Sequence, residues 1–222
     1  MLLPSEEVET PHITTASYCQ PASNVKETYY DCIPLAESRI EVFVSNVAGQ
    51  CPYPAILNAM IKSSLHPQIN FDPSVDSVMT TINQTIRYLA NVQACITCCY
   101  ILIDAEMCKL EFINAGCPSI LLYRSESRQI VELESTFDSL SLSSINNDVV
   151  CHGEEMSWQP HDILILSPNA ITERKSLNGK PYGIDRLRKT IIASADLSPL
   201  KSNGGFSQIL TLTLWVPPLI VT

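Results

Sequence analysis

The chain has 222 residues, 45% hydrophobic and only 17% charged, with Gly 7 and Pro 15 dispersed along it. That composition excludes collagen-like, coiled-coil and disordered chains and leaves a globular protein long enough to build its own core. Lys and Arg number 14 against 23 Asp and Glu, a net charge of −9, and such a field repels phosphate backbones and anionic lipid, so neither nucleic acid nor a membrane is an expected partner.

Arg39 to Val44 alternates, with Ile40, Val42 and Val44 on one face and Glu41 and Phe43 on the other, which predicts a strand, followed by a turn at Asn46 to Cys51. Helical spacing of Ile56, Leu57, Met60, Ile61 and Leu65 predicts a helix over Pro54 to Leu65, with Pro67 just past its end. A second helix opens at Asp72-Pro73-Ser74 and carries the stripe Val75, Val78, Met79, Ile82, Ile86 and Leu89, which predicts packing against the first. Three β-prone runs follow, Ala94 to Ile103, Lys109 to Ala115 and Ser119 to Arg124, and read as an antiparallel meander. Ile130 to Leu133 is a further short strand, and the Ser- and Asn-rich stretch Ser135 to Asp148 is expected to be a mobile loop. The unbroken apolar run Asp162 to Leu166 predicts a central strand, Ile184, Leu187, Arg188 and Ile191 outline a last helix, and Ile209 to Val216 a final strand. Strands and helices come in runs, which points to a single α+β domain of stacked sheets with helices outside.

No apolar run approaches the roughly 18 residues that span a bilayer, and the N-terminus lacks a secretory pattern. Nine cysteines, an odd number set mostly in apolar segments, point to buried thiols in a reducing compartment, so a cytoplasmic location is expected. Cys95, Cys98, Cys99 and Cys117 include a Cys-x-x-Cys spacing, but on a strand Cys95 and Cys99 face away from Cys98, which favours packing over zinc ligation. His12, His66, His152 and His161 read as surface loop residues, Ser167 has no recognisable His and Asp partners, and Arg186, Arg188 and Lys189 form the solvated face of the last helix.

The order of several segments resembles the SpoIIE/RsbU-type bacterial serine phosphatases, a branch of the metal-dependent protein phosphatase 2C-like enzymes, over nearly the whole chain. Val25 to Asp31 is similar to the family's opening segment, with Lys26 and Glu27 in place of a glycine pair and Thr28 in place of an aspartate. Ser45-Asn46-Val47-Ala48-Gly49 sits where the family has Gly-Asp-Val-Ser-Gly, and Asn114-Ala115-Gly116-Cys117-Pro118 where it has Asn-Ala-Gly-His-Pro. Leu164 to Glu173 is similar to Leu-Tyr-Thr-Asp-Gly-Val-Thr-Glu, with Asn169 for the aspartate and Ala170 for the glycine, while the stretch before the last strand, ending at Gln208, lacks the paired aspartates.

The resemblance implies an α/β/β/α sandwich of two antiparallel sheets flanked by helices, built around two Mg²⁺ or Mn²⁺ ions held by carboxylates. Thr28, Asn46, Val47, Asn169 and Gln208 then occupy degenerate metal-ligand positions. Neutral oxygens do not offset the charge of two hard divalent cations, so no catalytic residue, no bound metal and no cofactor are expected, and the chain reads as a pseudophosphatase that binds a phosphoprotein or regulatory protein in partner-switching signalling. The alternative is a weak Mn²⁺- or Mg²⁺-dependent phosphoserine phosphatase acting on an anti-sigma-factor antagonist, with Glu27, Asp31 or Glu173 as substitute ligands. A thiol sensor at Cys117 is a third reading. The family often carries a preceding sensory domain, so residues 1–222 are expected to be a single domain and the C-terminal part of a longer protein.

Overall fold

The structure is a computed structural model that describes residues 8, 10–17, 28–49, 53–88, 94–117, 120–136, 140–141, 152–167, 172, 175–176, 179–195 and 208–212, the last by backbone alone. Sheet B is the larger of two stacked sheets and takes its centre from β3 (Arg39–Gly49) and β4 (Ala94–Asp104), which pair in antiparallel register along their full length. β2 (Thr28–Ala36) flanks β3, while β5 (Lys109–Ala115) and β9 (Glu154–Ser157) extend the sheet beyond β4. β-branched and aromatic residues recur through β2 to β4, as strands buried on both faces favour.

Side chains on β3 alternate between two different environments. Arg39, Glu41, Phe43, Ser45 and Val47 point to the layer formed by α1 (Pro54–Phe71) and α2 (Val75–Tyr88), as the Ser45 to Asn58 hydrogen bond of 3.2 Å shows. Val42, Val44 and Asn46 point to the second sheet. The two helices lie side by side, with Thr81 Oγ1 donating to Gln68 Oε1 (2.9 Å) and Thr85 Oγ1 to Ser64 Oγ (2.9 Å). Their apolar stripes, Leu57, Ile61, Leu65 and Ile69 on α1 and Val75, Val78, Met79, Ile82 and Ile86 on α2, are all buried.

Sheet A has the order β1 (Ile13–Ser17), β11 (Gln208–Leu212), β10 (Ile163–Leu166), β6 (Ile120–Arg124), β7 (Gln129–Glu132). β10, β6 and β7 are antiparallel, whereas β11 is parallel to both β1 and β10. Leu164, Leu166, Ile120 and Leu122 belong to the core shared with sheet B, and Leu121, Tyr123, Ile163 and Ile165 form a separate cluster with Leu187 of α3 (Ile184–Ser194). The layer order is therefore helices, sheet B, sheet A, helix. At the start of β10, Asp162 is fully buried and accepts bonds from Arg124 Nη1 (2.8 Å), Ser125 N (3.0 Å) and Gln159 N (3.1 Å), which offset its desolvation.

Several local expectations are corrected. Asn46 to Gly49 are not a turn, because β4 supplies strand partners from Thr97 back to Ala94. α1 runs through Pro67 to Phe71; the proline lies on its exposed side, and Leu65 and Ile69, both buried, hold the following turn in place. The meander ends at β5, for β6 crosses into sheet A. Within the expected loop, Leu140–Ser141 form β8, which takes over the edge of β4 at Cys95 and Ile96 where β5 has left it. Residues 213–216 of the expected last strand lie outside the described residues.

Candidate functional site

Adjacent strands bring Thr28 and Asn46 into direct register, and Thr28 Oγ1 donates to Asn46 Oδ1 at 3.2 Å. Across β3 and β4, Asn46 pairs with Thr97, whose side chain is hydrogen-bonded to the Cys117 thiol. Register alternation puts Thr28, Asn46 and Thr97 on the face of sheet B that looks toward sheet A. Cys117 leads by three residues to Ile120, the first residue of β6, and Ile120 pairs with Leu166, the last of β10. The cluster thus occupies one end of the cleft between the sheets, and all four of its side chains are neutral.

Asn114 shapes the loop that presents Cys117. Its Oδ1 accepts the Cys117 N–H at 2.8 Å, and its Nδ2 donates to the carbonyls of Cys117 (2.9 Å) and Leu133 (3.1 Å). The carbonyl of Asn114 accepts from Thr136 N at 2.9 Å, so one buried amide ties β5, the loop and the exit from β7 together, with Gly116 in the left-handed region at φ 76°. Burial pushes the Cys117 thiol up to about 12, its bond to Thr97 only partly opposing this, and burial also raises Cys99 well above the ordinary thiol range. Thiols so raised are poor nucleophiles at neutral pH, which counts against a sensor role for Cys117. Cys32, Cys98, Cys99 and Cys117 are buried thiols, whereas Cys108 is exposed.

The remaining expected positions fare differently. Val47 is buried with its side chain toward the helices, opposite to Asn46. Asp31 is three residues from Thr28 and faces α1: its Oδ2 accepts from the Tyr29 hydroxyl (2.8 Å) and lies 2.9 Å from His66 Nε2 and 3.3 Å from Lys62 Nζ, while Oδ1 accepts from Cys32 N (3.1 Å). The sheet separates it from the Thr28 and Asn46 face, so the structure does not bring this expected substitute ligand to the cluster. Nor does it bring Gln208 there: β11 is parallel to β10, so Gln208 enters next to Ile163, at the end of β10 remote from Leu166. Glu27, Asn169 and Glu173 lie outside the described residues. Among the described residues no group of three or more His, Cys, Asp or Glu could hold a metal ion.

Sequence reasoning missed Thr97, which only the β3 and β4 register brings to the cluster. It also placed His66 in a loop, although the His66 and Lys62 spacing of four on a helix was a signal for a shared partner. His12, His152 and His161 are exposed as expected, and Ser167 is buried at the end of β10 without a hydrogen-bond partner among the described residues. On α3, Arg188 pairs with Glu132 at 2.6 Å and Arg186 stacks 4.9 Å over Tyr182.

Two sheets face to face between helical layers, with a polar cluster at one end of the intervening cleft, define a protein phosphatase 2C-like domain. The SiaA-PP2C domain of Pseudomonas aeruginosa is similar with a TM-score of 0.63 and 18% identity, over 78% of this chain and 68% of that one. The RsbU and RsbW domains of Rv1364c from Mycobacterium tuberculosis are similar with a TM-score of 0.58 and 16% identity, over 82% of this chain and 48% of that one. The phosphatase domain with a regulatory fragment of SpoIIE from Bacillus subtilis gives a TM-score of 0.57 and 16% identity, over 72% and 49%. The chain thus spans about half the length of the latter two. No curated protein matches it in sequence. The sequence profile of Stage II sporulation protein E (SpoIIE) matches residues 36–203, and the chain belongs to that family of PP2C-like bacterial phosphatase domains. Among the described residues no helix is long and apolar enough to cross a membrane.

Proposed function

We propose that the chain is a phosphatase-fold module that has lost two-metal hydrolysis and binds a regulatory protein or phosphoprotein without turning it over. The observation that carries this reading is the Thr28 to Asn46 hydrogen bond, a neutral pair at two positions where the family's motifs place aspartates. Mg²⁺ and Mn²⁺ need anionic oxygens, and Thr28, Asn46, Thr97 and Cys117 supply none, so the described residues do not fit a pair of divalent ions. Without those ions no activated water is available to attack phosphorus. The partner class is supported by the relative that joins an RsbU domain to an RsbW domain in one chain, an arrangement suited to docking a regulator. Such a module would sequester its partner in the cytoplasm.

Calorimetric titration with Mn²⁺, paired with hydrolysis of a chromogenic phosphate ester, tests the reading. No binding heat, no Mn²⁺-dependent turnover and a melting temperature indifferent to chelator are expected. Turnover that chelator abolishes overturns it in favour of the weak phosphatase, with Glu27 or Glu173 as ligand.

A further inference from the structure

A second polar site lies on the other face of sheet B, beneath the turn that joins α1 to α2. Glu41 is 1% exposed, and apart from the nearby Tyr100 hydroxyl its carboxyl oxygens meet no hydrogen-bond donor among the described residues. Burying a carboxylate is costly, so burial favours its protonated form. The Tyr100 hydroxyl is its polar neighbour on β4 and donates at 3.2 Å to the carbonyl of Pro73, in the turn itself. One hydroxyl proton therefore stands between two acceptors, one of which changes its charge.

We infer that Glu41 is a proton-operated latch for the α1 and α2 hairpin. With Glu41 protonated, the Tyr100 proton serves Pro73 and pins the turn to the sheet. When Glu41 ionises, its carboxylate becomes the stronger acceptor, Tyr100 turns its proton to it, and the Pro73 carbonyl is released. The Asp72-Pro73-Ser74 turn then loses its tie to β4 while the inner sheet stays intact. Burial, the largest influence, raises Glu41 to about 7, with Tyr100 and Arg39 partly opposing, which places the change in the physiological range. Asp72, held below the usual carboxylate range by Ser77 and Ser74, stays ionised throughout and cannot supply the switch. The other charged groups near this face are Arg39 and Asp104, paired at 3.5 Å, Glu111 of β5 and Glu155 of β9, both with Lys109, Asp76 of α2 with His152 at 3.4 Å, and Asp31 with Lys62 and His66 where α1 covers β2. This latch is independent of any metal chemistry, being on the opposite face from Thr28 and Asn46.

Amide hydrogen exchange of the intact chain, corrected for the intrinsic effect of pH, reads the hairpin directly. Protection of the Asp72 to Val78 amides is expected to fall about tenfold or more between pH 6 and 8 while β3 and β4 keep theirs. Glu41→Gln is expected to abolish that pH dependence, and Tyr100→Phe to leave the turn weakly protected at every pH. An unchanged pH dependence in Glu41→Gln, or a loss spread evenly through sheet B, overturns the latch. Should the Gln variant not fold, carbon NMR of the wild-type Glu41 carboxyl decides: titration between pH 6 and 8 supports the latch, and titration near 4.5 overturns it.

Discussion

Thr28 and Asn46 sit directly opposite each other on adjacent strands, where side chains are about 4.5–5.5 Å apart at Cβ. This spacing makes a sharp test of whether they occupy vestigial ligand positions. In the double variant Thr28→Asp with Asn46→Asp, two carboxylates replace one neutral hydrogen bond and repel each other in a half-buried cleft. In chelator it is expected to be less stable than the parent by about 1–3 kcal/mol, more than the two single variants combined, because the repulsion exists only when both are present. Mn²⁺ binding only to the folded state recovers about 2.7 kcal/mol at a concentration of 100 times its dissociation constant. Urea denaturation with and without Mn²⁺ measures this. Additive single effects and no response to Mn²⁺ would show that the two positions do not form a metal site. Gln208 is left out of the design, since the parallel β11 carries it to the far end of sheet A.

Helix α1 is held to sheet B by apolar burial along one side and by Asp31 at the edge strand. Asp31→Ala removes an acceptor from the Tyr29 hydroxyl, from Cys32 N–H and from Lys62 and His66 at once. Lys62 and His66 remain partly hydrated and lose little, so the cost falls mainly on the two buried donors and is expected to be about 2–3 kcal/mol, measured by chemical denaturation. A loss below about 0.5 kcal/mol would mean that burial alone seats the helix. The apolar periodicity of α1 and α2 was legible because those stripes face one wall. The end of α1 was misread at Pro67, where burial of Leu65 and Ile69 outweighs the missing N–H. The role of Asp31 was hidden because a carboxylate in a strand reads the same whichever face it takes, and only pairing register decides between them.

For the molecule as a whole, the layer order followed from the resemblance, whereas the allocation of strands to sheets did not follow from local pattern. β5 and β6 are consecutive strands, both largely apolar, yet one joins sheet B and the other sheet A, a choice made by the Asn114-held loop between them. The candidate cluster was legible at Thr28 and Asn46, which lie in motifs, and illegible at Thr97, which lies in none. The same long-range burial sets the pH response of overall stability. Glu41 is raised from 4.5 to about 7 in the folded chain. Below the unfolded value both states hold the proton and Glu41 has no effect. Above it the unfolded chain binds fewer protons than the native one, so stability falls as pH rises and levels off once Glu41 ionises in the fold. A difference of this size corresponds to about 3 kcal/mol, an upper figure because release of the hairpin hydrates the carboxylate and limits the penalty. Asp72 acts with opposite sign, its contribution being lost as pH falls through its depressed folded value, so maximal stability is expected on the mildly acidic side of neutrality. Urea denaturation at pH 5, 6, 7 and 8 is expected to show the wild type losing stability relative to Glu41→Gln across this range. Parallel curves for the two proteins would place the Glu41 carboxyl at its ordinary value and remove the basis for this trend.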